Sequence, residues 1–314
     1  MTADQFILAI DQGTTSSRAL LFDQTGMAVA LAQRPIDVTY PHPGWVNQDA
    51  NQIWTVTEAV CRDAMASADV DWSRIAAIGI TNQRETTILW DRKTGEPVAP
   101  AIVWQSRQSA DVIRAMERRG VADRYREITG LVLDPYFSAS KIRWLLDQDR
   151  DLQERAQRGE IYFGTVDSWL IWKLTGGEHL TDITNASRTL LFDIRSCAWS
   201  DELLADLGIP SSILPAMVPN SGEIASTSAE FGSILITGCA GDQHAALFGQ
   251  ACFAAGQAKN TYGTGSFALL NTGSDVVVSN NGLLTTPAWA YRDQATYALE
   301  GSVLVSGSAV QWLR

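Results

Sequence analysis

Residues 7–26 read ILAIDQGTTSSRALLFDQTG, two short apolar runs joined by a turn of glycine, threonine and serine. This pattern predicts a β-hairpin. A turn of this composition can direct several backbone N–H groups and hydroxyls toward one anionic group, and so form a nest for phosphate. Asp11 stands at the mouth of the turn, where a carboxylate would hold Mg²⁺ against phosphates. An ordinary hairpin rich in glycine and threonine fits the same residues, so the pattern alone leaves both interpretations open.

The motifs of the chain narrow the type of phosphate site. There is no G-x-x-x-x-G-K-S/T motif, and the first turn leads into a strand rather than a helix, which excludes a Walker-type loop. Residues 259–273, KNTYGTGSFALLNTG, repeat the hairpin pattern in the second half of the chain. Two such hairpins predict two related domains that face one nucleotide across a cleft. The repeat spans only about a dozen residues, so it supports this arrangement without establishing a duplication.

Composition limits the class of protein. The chain has 314 residues, of which 46% are hydrophobic, enough for one large domain or two moderate ones. With 35 acidic against 24 basic residues, nucleic acid and anionic membranes are disfavoured as partners. We find no apolar run long enough for membrane insertion, no basic region typical of a signal sequence, and scattered cysteines without a C-x-x-C pair. These features predict a cytoplasmic protein, and the spacing of the histidines predicts no zinc or iron site.

The order of predicted elements indicates an α/β fold, because strand-like runs alternate with helix-like ones. Strands are predicted at 29–38, 75–80, 86–90 and 234–238, and helices from Asp49 to about residue 66 and at 106–119, 138–148, 165–174 and 242–248. Beyond Gly256 the pattern is rich in strands up to residue 305, with a helix beginning near Gly307. From this we expect a complete first domain at residues 1–250 and the start of a truncated second domain at residues 251–314.

Two pairs of polar residues follow buried-strand candidates, where α/β folds present ligand-binding groups. Arg84 and Glu85 offer donors and an acceptor to neighbouring hydroxyls of a polyol, although a surface ion pair also fits them. Asp242 and Gln243 stand at the start of a predicted helix. A carboxylate at that position can accept a proton from an attacking hydroxyl, although for a lone aspartate a helix cap is the more common role.

Three aromatic residues are weaker candidates for ligand contacts. Tyr136 could offer a phenol to a ligand, and Trp104 and Phe267 could cover an aliphatic face. Packing in the core explains each of them at least as well. Individually, none of these residues separates a binding site from a structural role.

As a set, these segments resemble the glycerol kinases of the FGGY carbohydrate kinases, and the resemblance extends from residue 7 to residue 314. The matching segments are DQGTTSSRA (11–19), PGWVNQD (43–49), GITNQRETTILWD (79–91), AIVWQSR (101–107), TGLVLDPYFSASK (129–141), FGTVDSWLIWKLT (163–175), TNASRTLLF (184–192), AGDQHAALFGQ (240–250), AKNTYGTGSF (258–267), NGLLTT (281–286) and YALEGS (297–302). The NQRET, DPYFSASK and AGDQ segments are specific to the glycerol-type members.

The resemblance implies an actin-like (ribonuclease H-like) ATPase fold and the ATP-dependent phosphorylation of glycerol at a terminal hydroxyl, giving sn-glycerol 3-phosphate. It implies ATP and Mg²⁺ as cofactors, glycerol and ATP as partners, and a possible homo-oligomer. At matching positions it assigns polyol hydrogen bonds to Arg84, Glu85, Tyr136, Asp242 and Gln243, and packing on the carbon backbone to Trp104 and Phe267. It assigns the general base to Asp242, Mg²⁺ to Asp11, phosphate contacts to Gly13, Thr14, Thr15, Ser16 and Arg18, and further nucleotide contacts to Thr264, Gly265, Gly307 and Gln311.

The chain departs from the family pattern in two ways. Family members extend much further, so the resemblance implies an N-terminal portion that is inactive, or nearly so, by itself. His244 and Ser266 stand where these kinases often carry Gln and Cys. Two alternatives stay open: a kinase for another small polyol, and a non-catalytic polyol-binding remnant. Arg84 together with the aromatic residues Trp104 and Phe267 favours a small triol, because two aromatic side chains leave little room.

Overall fold

A computed structural model describes residues 5–263, 265–291 and 294–313. Its strands are β1 Phe6–Gln12, β2 Ser16–Phe22, β3 Ala28–Pro35, β4 Asn47–Gln48, β5 Ile75–Asn82, β6 Ile88–Asp91, β7 Ala101–Ile102, β8 Ile161–Gly164, β9 Leu180–Asp182, β10 Phe192–Asp193, β11 Ala198–Trp199, β12 Ala216–Val218, β13 Ser221–Ser226, β14 Leu235–Gly241, β15 Ala258–Tyr262, β16 Ser266–Gly273, β17 Leu284–Tyr291 and β18 Gln294–Val303. Its helices are α1 Ala50–Ser67, α2 Ala110–Arg118, α3 Ala122–Thr129, α4 Ser138–Gln148, α5 Arg150–Gln157, α6 Val166–Thr175, α7 Ile183–Ala186, α8 Asp201–Leu207, α9 Asp242–Gly249 and α10 Gly307–Leu313, with short 3-10 turns at Trp72–Arg74, Ser211–Ile213 and Ala229–Phe231.

A six-stranded mixed sheet in the order β13-β14-β5-β1-β2-β3 forms the centre of the fold. The strands β1, β2 and β3 are an antiparallel meander, while β5 and β14 run parallel to β1. Because β1, β5 and β14 are parallel, their carboxyl ends meet at one edge of the sheet. This confirms the predicted α/β fold of the actin-like type.

One face of this sheet is buried against helices α1 and α6. Alternation in β1 explains the sidedness: Leu8 and Ile10 are wholly buried, while Ala9 and Asp11 point to the other face and stay partly exposed. The buried side chains join those of α1 and α6, including Val60 of α1, in one apolar cluster. Burial on one side therefore fixes the register of the strands that carry the turn and Asp11.

A second sheet, antiparallel throughout, has the order β15-β16-β18-β17. Its inward side chains, among them Phe267, Leu269 and Ala298, join the apolar cluster built around helices α2, α3 and α4. The second sheet therefore packs against α2, α3 and α4, next to the carboxyl edge of the central sheet. This packing brings residues near 260 and 300 beside residues near 85 and 242.

The predicted elements are found, with shifts at several ends. The helix α4 has the predicted bounds, and the side chain of Asp49 caps α1 by accepting a hydrogen bond from the N–H of Asn51. The helix α2 begins four residues later than predicted, because the Ser106 hydroxyl bonds to Gln108 and to the N–H of Val46 instead of starting a helix. Within the described ranges, no helix combines the length and apolarity needed to cross a bilayer.

Candidate active site

The β1–β2 hairpin presents its turn at the carboxyl edge of the central sheet. The N–H of Gly13 donates to the carbonyl of Ser16 at 2.9 Å, and a Cβ on Gly13 would lie 3.2 Å from that oxygen, so the tight turn favours glycine there. The side chains of Asp11 and Arg18 form an ion pair of 2.8 Å across the hairpin. Burial raises the pKa of Asp11; Arg18 acts in the opposite direction, and the charge of Asp242 raises it further.

A cleft of about 220 Å³ opens between this turn, the ends of β5 and β14, and the second sheet. Its lining comprises Gly13, Thr14, Thr15, Ser16, Arg18, Gln83, Arg84, Glu85, Trp104, Tyr136, Asp242, Gln243, Thr261, Gly263, Gly265 and Phe267. A larger cavity of about 530 Å³ lies beside α9 and β17, with a mainly apolar lining that includes Phe248 and Trp289. We assign the site to the smaller cleft because the charged and hydroxyl side chains converge there.

Arg84 and Glu85 belong to a buried group of two cations and two anions. Arg84 donates from Nη1 to Oε2 of Glu300 at 2.7 Å and from Nη2 to Oε1 at 2.9 Å, a bidentate pair. Arg188 donates from Nε to Oε1 of Glu85 at 2.6 Å and from Nη2 to Oε1 of Glu300 at 3.1 Å. All four side chains are at most 1% exposed, which rules out a surface ion pair at Arg84 and Glu85.

The charges in this group balance, and their pKa values follow from burial and pairing. Burial would raise the pKa of Glu300, yet Arg188 and Arg84 hold it well below the ordinary value for a glutamate. Burial raises the pKa of Glu85, and Arg84 and Arg188 counter only part of that rise. Removing one member leaves an uncompensated buried charge, which typically costs roughly 3–5 kcal/mol.

Asp242 is a partly exposed carboxylate in the lining of the cleft. It is the first residue of α9, and Gly241, not Asp242, occupies the capping position. Its Oδ1 accepts from the N–H of Gln243 at 2.7 Å and lies 3.4 Å from Nε of Arg84; its Oδ2 accepts from Nε2 of Gln243 at 3.0 Å. With 37% of its side chain exposed, the carboxylate is open to a ligand in the cleft. Asp11 lies near the end of β1 and Asp242 directly follows β14; these strands flank β5, so they are about 10 Å apart by strand spacing.

Three aromatic rings enclose the other side of the cleft. The ring of Trp104 meets those of Tyr136 and Phe267 edge to face, with centroids 5.8 Å and 6.1 Å apart. The indole N–H of Trp104 donates to Oγ1 of Thr14 at 2.8 Å, which joins this wall to the hairpin turn. These rings are largely buried and also line the cleft, so packing and ligand contact are compatible roles.

The backbone at Glu85 is held in an uncommon conformation. Its φ of 62° lies in the left-handed region, which a glutamate seldom adopts. The carbonyl of Glu85 accepts from the hydroxyl of Ser138 at 3.1 Å and from Nζ of Lys141 at 3.4 Å, and Lys141 also donates to the carbonyl of Tyr136. Burial lowers the pKa of Lys141 to about 7. These bonds fix the turn that points the Glu85 carboxylate into the charged group.

Asp11, beside the cleft, is better suited to a metal than the buried group of Asp167, Asp182 and Cys239. Asp11 lies beside the hairpin turn with its carboxylate 27% exposed, and Mg²⁺ usually takes one or two protein carboxylates together with phosphate oxygens. The buried group of Asp167, Asp182 and Cys239 also has atoms close enough for a metal. The oxygens of Asp182 already accept from the N–H of Thr184 at 2.7 Å and from Nδ2 of Asn185 at 2.7 Å, so hydrogen bonds within the protein satisfy them.

The structure places most of the predicted site residues together. The predicted residues that line the cleft are Gly13, Thr14, Thr15, Ser16, Arg18, Arg84, Glu85, Trp104, Tyr136, Asp242, Gln243, Gly265 and Phe267. Gly307 begins α10 and donates its N–H to the carbonyl of Gly263 at 2.9 Å. Thr264 lies outside the described residues, as does the side chain of Gln311. The individual roles assigned to these residues stay predictions.

Sequence reasoning missed residues of the cleft and of the layer behind it. Gln83 and Thr261 line the cleft, and Arg188, Lys259 and Glu300 bind residues that line it. The position of Gln83 directly after β5 is the same signal that identified Arg84. Glu300 interrupts an apolar strand, and a lone acid in such a strand indicates a buried charge that needs a partner.

Comparison with known proteins adds the family. The family model for the FGGY family of carbohydrate kinases, N-terminal domain, matches residues 6–249. The chain is 55% identical over 314 residues to a glycerol kinase of Parabacteroides distasonis, covering 99% of this chain and 63% of that protein. It is 52% identical over 315 residues to a glycerol kinase of Bacillus subtilis, covering 99% and 64%. The chain therefore spans somewhat less than two thirds of the length of these curated relatives.

A solved structure agrees with these sequence relatives. The crystal structure of Plasmodium falciparum glycerol kinase with ADP superposes with a TM-score of 0.93 at 36% identity, covering 98% of this chain and 63% of that chain. The family match covers most of the chain. In the described fold, most polar residues that line the cleft lie at the carboxyl edge of the central sheet. This chain belongs to the FGGY family of carbohydrate kinases.

Proposed function

We propose that this chain is the polyol- and phosphate-binding portion of a glycerol kinase, which transfers a phosphoryl group from ATP to a terminal hydroxyl of glycerol and yields sn-glycerol 3-phosphate. The observation that carries the proposal is the joint position of Asp242, the hairpin turn and three aromatic rings around one small cleft. The similar proteins of Parabacteroides distasonis and Bacillus subtilis, both glycerol kinases, support the same assignment.

The size of the cleft supports a small substrate. Its volume of about 220 Å³ is below the roughly 300–1,000 Å³ typical of pockets for drug-sized ligands. The rings of Trp104, Tyr136 and Phe267 restrict its width, while charged groups line its floor. A three-carbon polyol satisfies both conditions, since its carbon backbone meets the rings and its hydroxyls meet Arg84, Glu85 and Gln243.

Asp242 is the proposed general base. Its carboxylate is accessible and oriented by Gln243, and it lies beside the guanidinium of Arg84. Phosphoryl transfer depends mainly on in-line placement and on neutralisation of charge, so Asp242 would accept the hydroxyl proton late in the reaction. General-base catalysis of this kind contributes typically about 10²–10⁴-fold to the rate.

The hairpin turn is the proposed phosphate site. The N–H groups and hydroxyls of residues 13–16, together with Arg18, would stabilise negative charge on the transferring group. ATP supplies that phosphoryl group when bound, and Asp11 would hold the accompanying Mg²⁺. Division of the chain at residue 250 into a complete first domain and the beginning of a second, a cytoplasmic location and a homo-oligomeric state stay predictions.

Calorimetry on the purified 314-residue chain tests the proposal. Glycerol should bind at one site more tightly than erythritol or xylitol, because the aromatic rings leave no room for longer chains. Trp104→Ala should weaken glycerol binding about tenfold by removing one ring contact, whereas the partly buried Trp144→Ala should not. Tighter binding of xylitol, or the absence of glycerol binding, would overturn the assignment.

A coupled assay of ADP release tests whether this chain catalyses phosphoryl transfer or only binds glycerol. The chain spans about 63–64% of its curated relatives, so we expect little or no turnover from it despite glycerol binding. Ordinary turnover by the purified chain would show that the site for both substrates is complete within these residues.

A further inference from the structure

Glu300 belongs to the second sheet and binds Arg84, which we propose as a contact of the polyol. It lies in β18, wholly buried, and its carboxylate accepts hydrogen bonds from both terminal nitrogens of Arg84 at 2.7 Å and 2.9 Å. A bidentate pair fixes the plane of a guanidinium group as well as its position. The direction in which the remaining N–H groups of Arg84 point is therefore set by Glu300.

Packing limits how Arg84 can respond if this pair is lost. A Cβ on Gly241 would lie 2.7 Å from both Cγ and Cδ of Arg84, so the side chain runs tightly over the end of β14. Its guanidinium carbon lies 5.8 Å from the centroid of the Phe267 ring. The aliphatic part of the Arg84 side chain is thus confined, and the pair with Glu300 determines the orientation of its guanidinium group.

Lys259, also in the second sheet, makes a comparable contact with Gln243 on the other side of the cleft. It lies in β15, and its Nζ donates to Oε1 of Gln243, to Oγ1 of Thr261 at 2.9 Å and to the carbonyl of Phe267 at 3.2 Å. Since the oxygen of the Gln243 amide is occupied by Lys259, its nitrogen is left to donate to Asp242 at 3.0 Å. Lys259 therefore sets which way the Gln243 amide faces.

We propose that Glu300 and Lys259 are positioning residues of the polyol site: the second sheet uses them to orient Arg84 and Gln243 toward the hydroxyls of the substrate. Neither needs to contact the polyol. The inference rests on the proposed function, because it assigns the groups that make glycerol recognition selective. It predicts that the site discriminates between hydroxyl patterns only while both contacts to the second sheet are intact.

The test compares ligands that differ by one hydroxyl. Glycerol, 1,2-propanediol and 1,3-propanediol are titrated calorimetrically into the 314-residue chain, its Glu300→Gln and Lys259→Met variants, and the exposed controls Glu117→Gln and Lys93→Met. A correctly oriented hydrogen bond to a charged group is worth about a tenfold change in affinity or more. In Glu300→Gln and Lys259→Met, we expect the preference for glycerol over at least one diol to fall about tenfold, and both controls should match the wild type.

Each outcome has a definite meaning. A merely structural role would weaken glycerol and both diols by the same factor, and preserved discrimination in either variant overturns the inference. If Glu300→Gln lacks a cooperative melting transition, Lys259→Met decides, since Lys259 lies outside the group of four buried charges. If the wild type binds none of the three ligands, the proposed function itself fails, a result distinct from binding without loss of discrimination.

Discussion

Asp11 and Arg18 occupy opposite strands of the β1–β2 hairpin as a register pair and form an ion pair of 2.8 Å. We propose Mg²⁺ as the ligand of Asp11 and phosphate as the ligand of Arg18. A ligand that carries both charges would replace one ion pair by two, Mg²⁺ with the carboxylate and phosphate with the guanidinium. The hairpin thus offers one carboxylate for the cation and one guanidinium for the phosphate of a metal–phosphate complex.

This relationship predicts a specific loss in Asp11→Asn. Pyrophosphate carries phosphates without an adenosine, so it probes the hairpin alone. We expect the wild-type chain to bind pyrophosphate more tightly with Mg²⁺ than with a chelator, and Asp11→Asn to lose that difference because the metal has no carboxylate. Calorimetry measures both affinities, with the exposed Asp111→Asn as the control. An unchanged effect of Mg²⁺ in Asp11→Asn would refute the assignment of the metal to this residue.

Gly241 supports a prediction about packing. Its φ of −58° suits any residue, so alanine there adds no backbone strain, but the new Cβ would lie 2.7 Å from two carbons of Arg84. We expect Gly241→Ala to displace Arg84 and weaken glycerol binding at least tenfold. Gly249→Ala, at the other end of α9, meets no atom within 4 Å and is the matched control. It should bind glycerol like the wild type; equal binding by both variants would contradict the packing argument.

The buried pair of Asp167 and Asp182 predicts a pH dependence of stability. Burial, together with the charge of Asp182, raises the pKa of Asp167 from 3.8 to about 7. The unfolded chain therefore releases this proton at lower pH than the folded chain does. Stability from this group is full below about pH 4 and is lost as the pH rises to about 7.

Urea unfolding at pH 5, 6 and 7 measures this effect. Asp167→Asn stays neutral, so the difference in unfolding free energy between variant and wild type should grow in favour of the variant with rising pH. For one proton the slope is at most about 1.4 kcal/mol per pH unit. The exposed Asp111→Asn should show no such slope. A constant difference between Asp167→Asn and the wild type would mean that Asp167 is ionised throughout this range.

Local sequence patterns were sufficient to predict the central secondary-structure elements. The Gly/Thr/Ser turn of residues 13–17 fixes the first hairpin because turn chemistry acts over a few residues. The helix α4 has an apolar face of regular spacing, and the structure has its predicted bounds. Short helices such as α3 and α5 were not predicted, because eight residues with few apolar positions give little periodicity.

The layer behind the site could not be derived from local patterns. Arg84 and Glu300 are 216 residues apart, and nothing in the spacing of either segment indicates their pairing. The same holds for Arg188, whose contact with Glu85 joins residues 103 apart. Strand ends pointed to Arg84, Glu85, Asp242 and Gln243 in the cleft, whereas the residues that orient them depend on how the second sheet packs.

The most direct measurement of the central claim is hydrogen–deuterium exchange of the 314-residue chain with and without saturating glycerol. If glycerol lies in the cleft, amides at residues 83–87, 134–138 and 241–244 should become protected, because these segments carry Glu85, Tyr136 and Asp242. Residues 201–207 of α8, none of which lines the cleft, provide the internal reference. Protection confined to other segments, or none at saturation, would contradict the placement of the polyol site in this cleft.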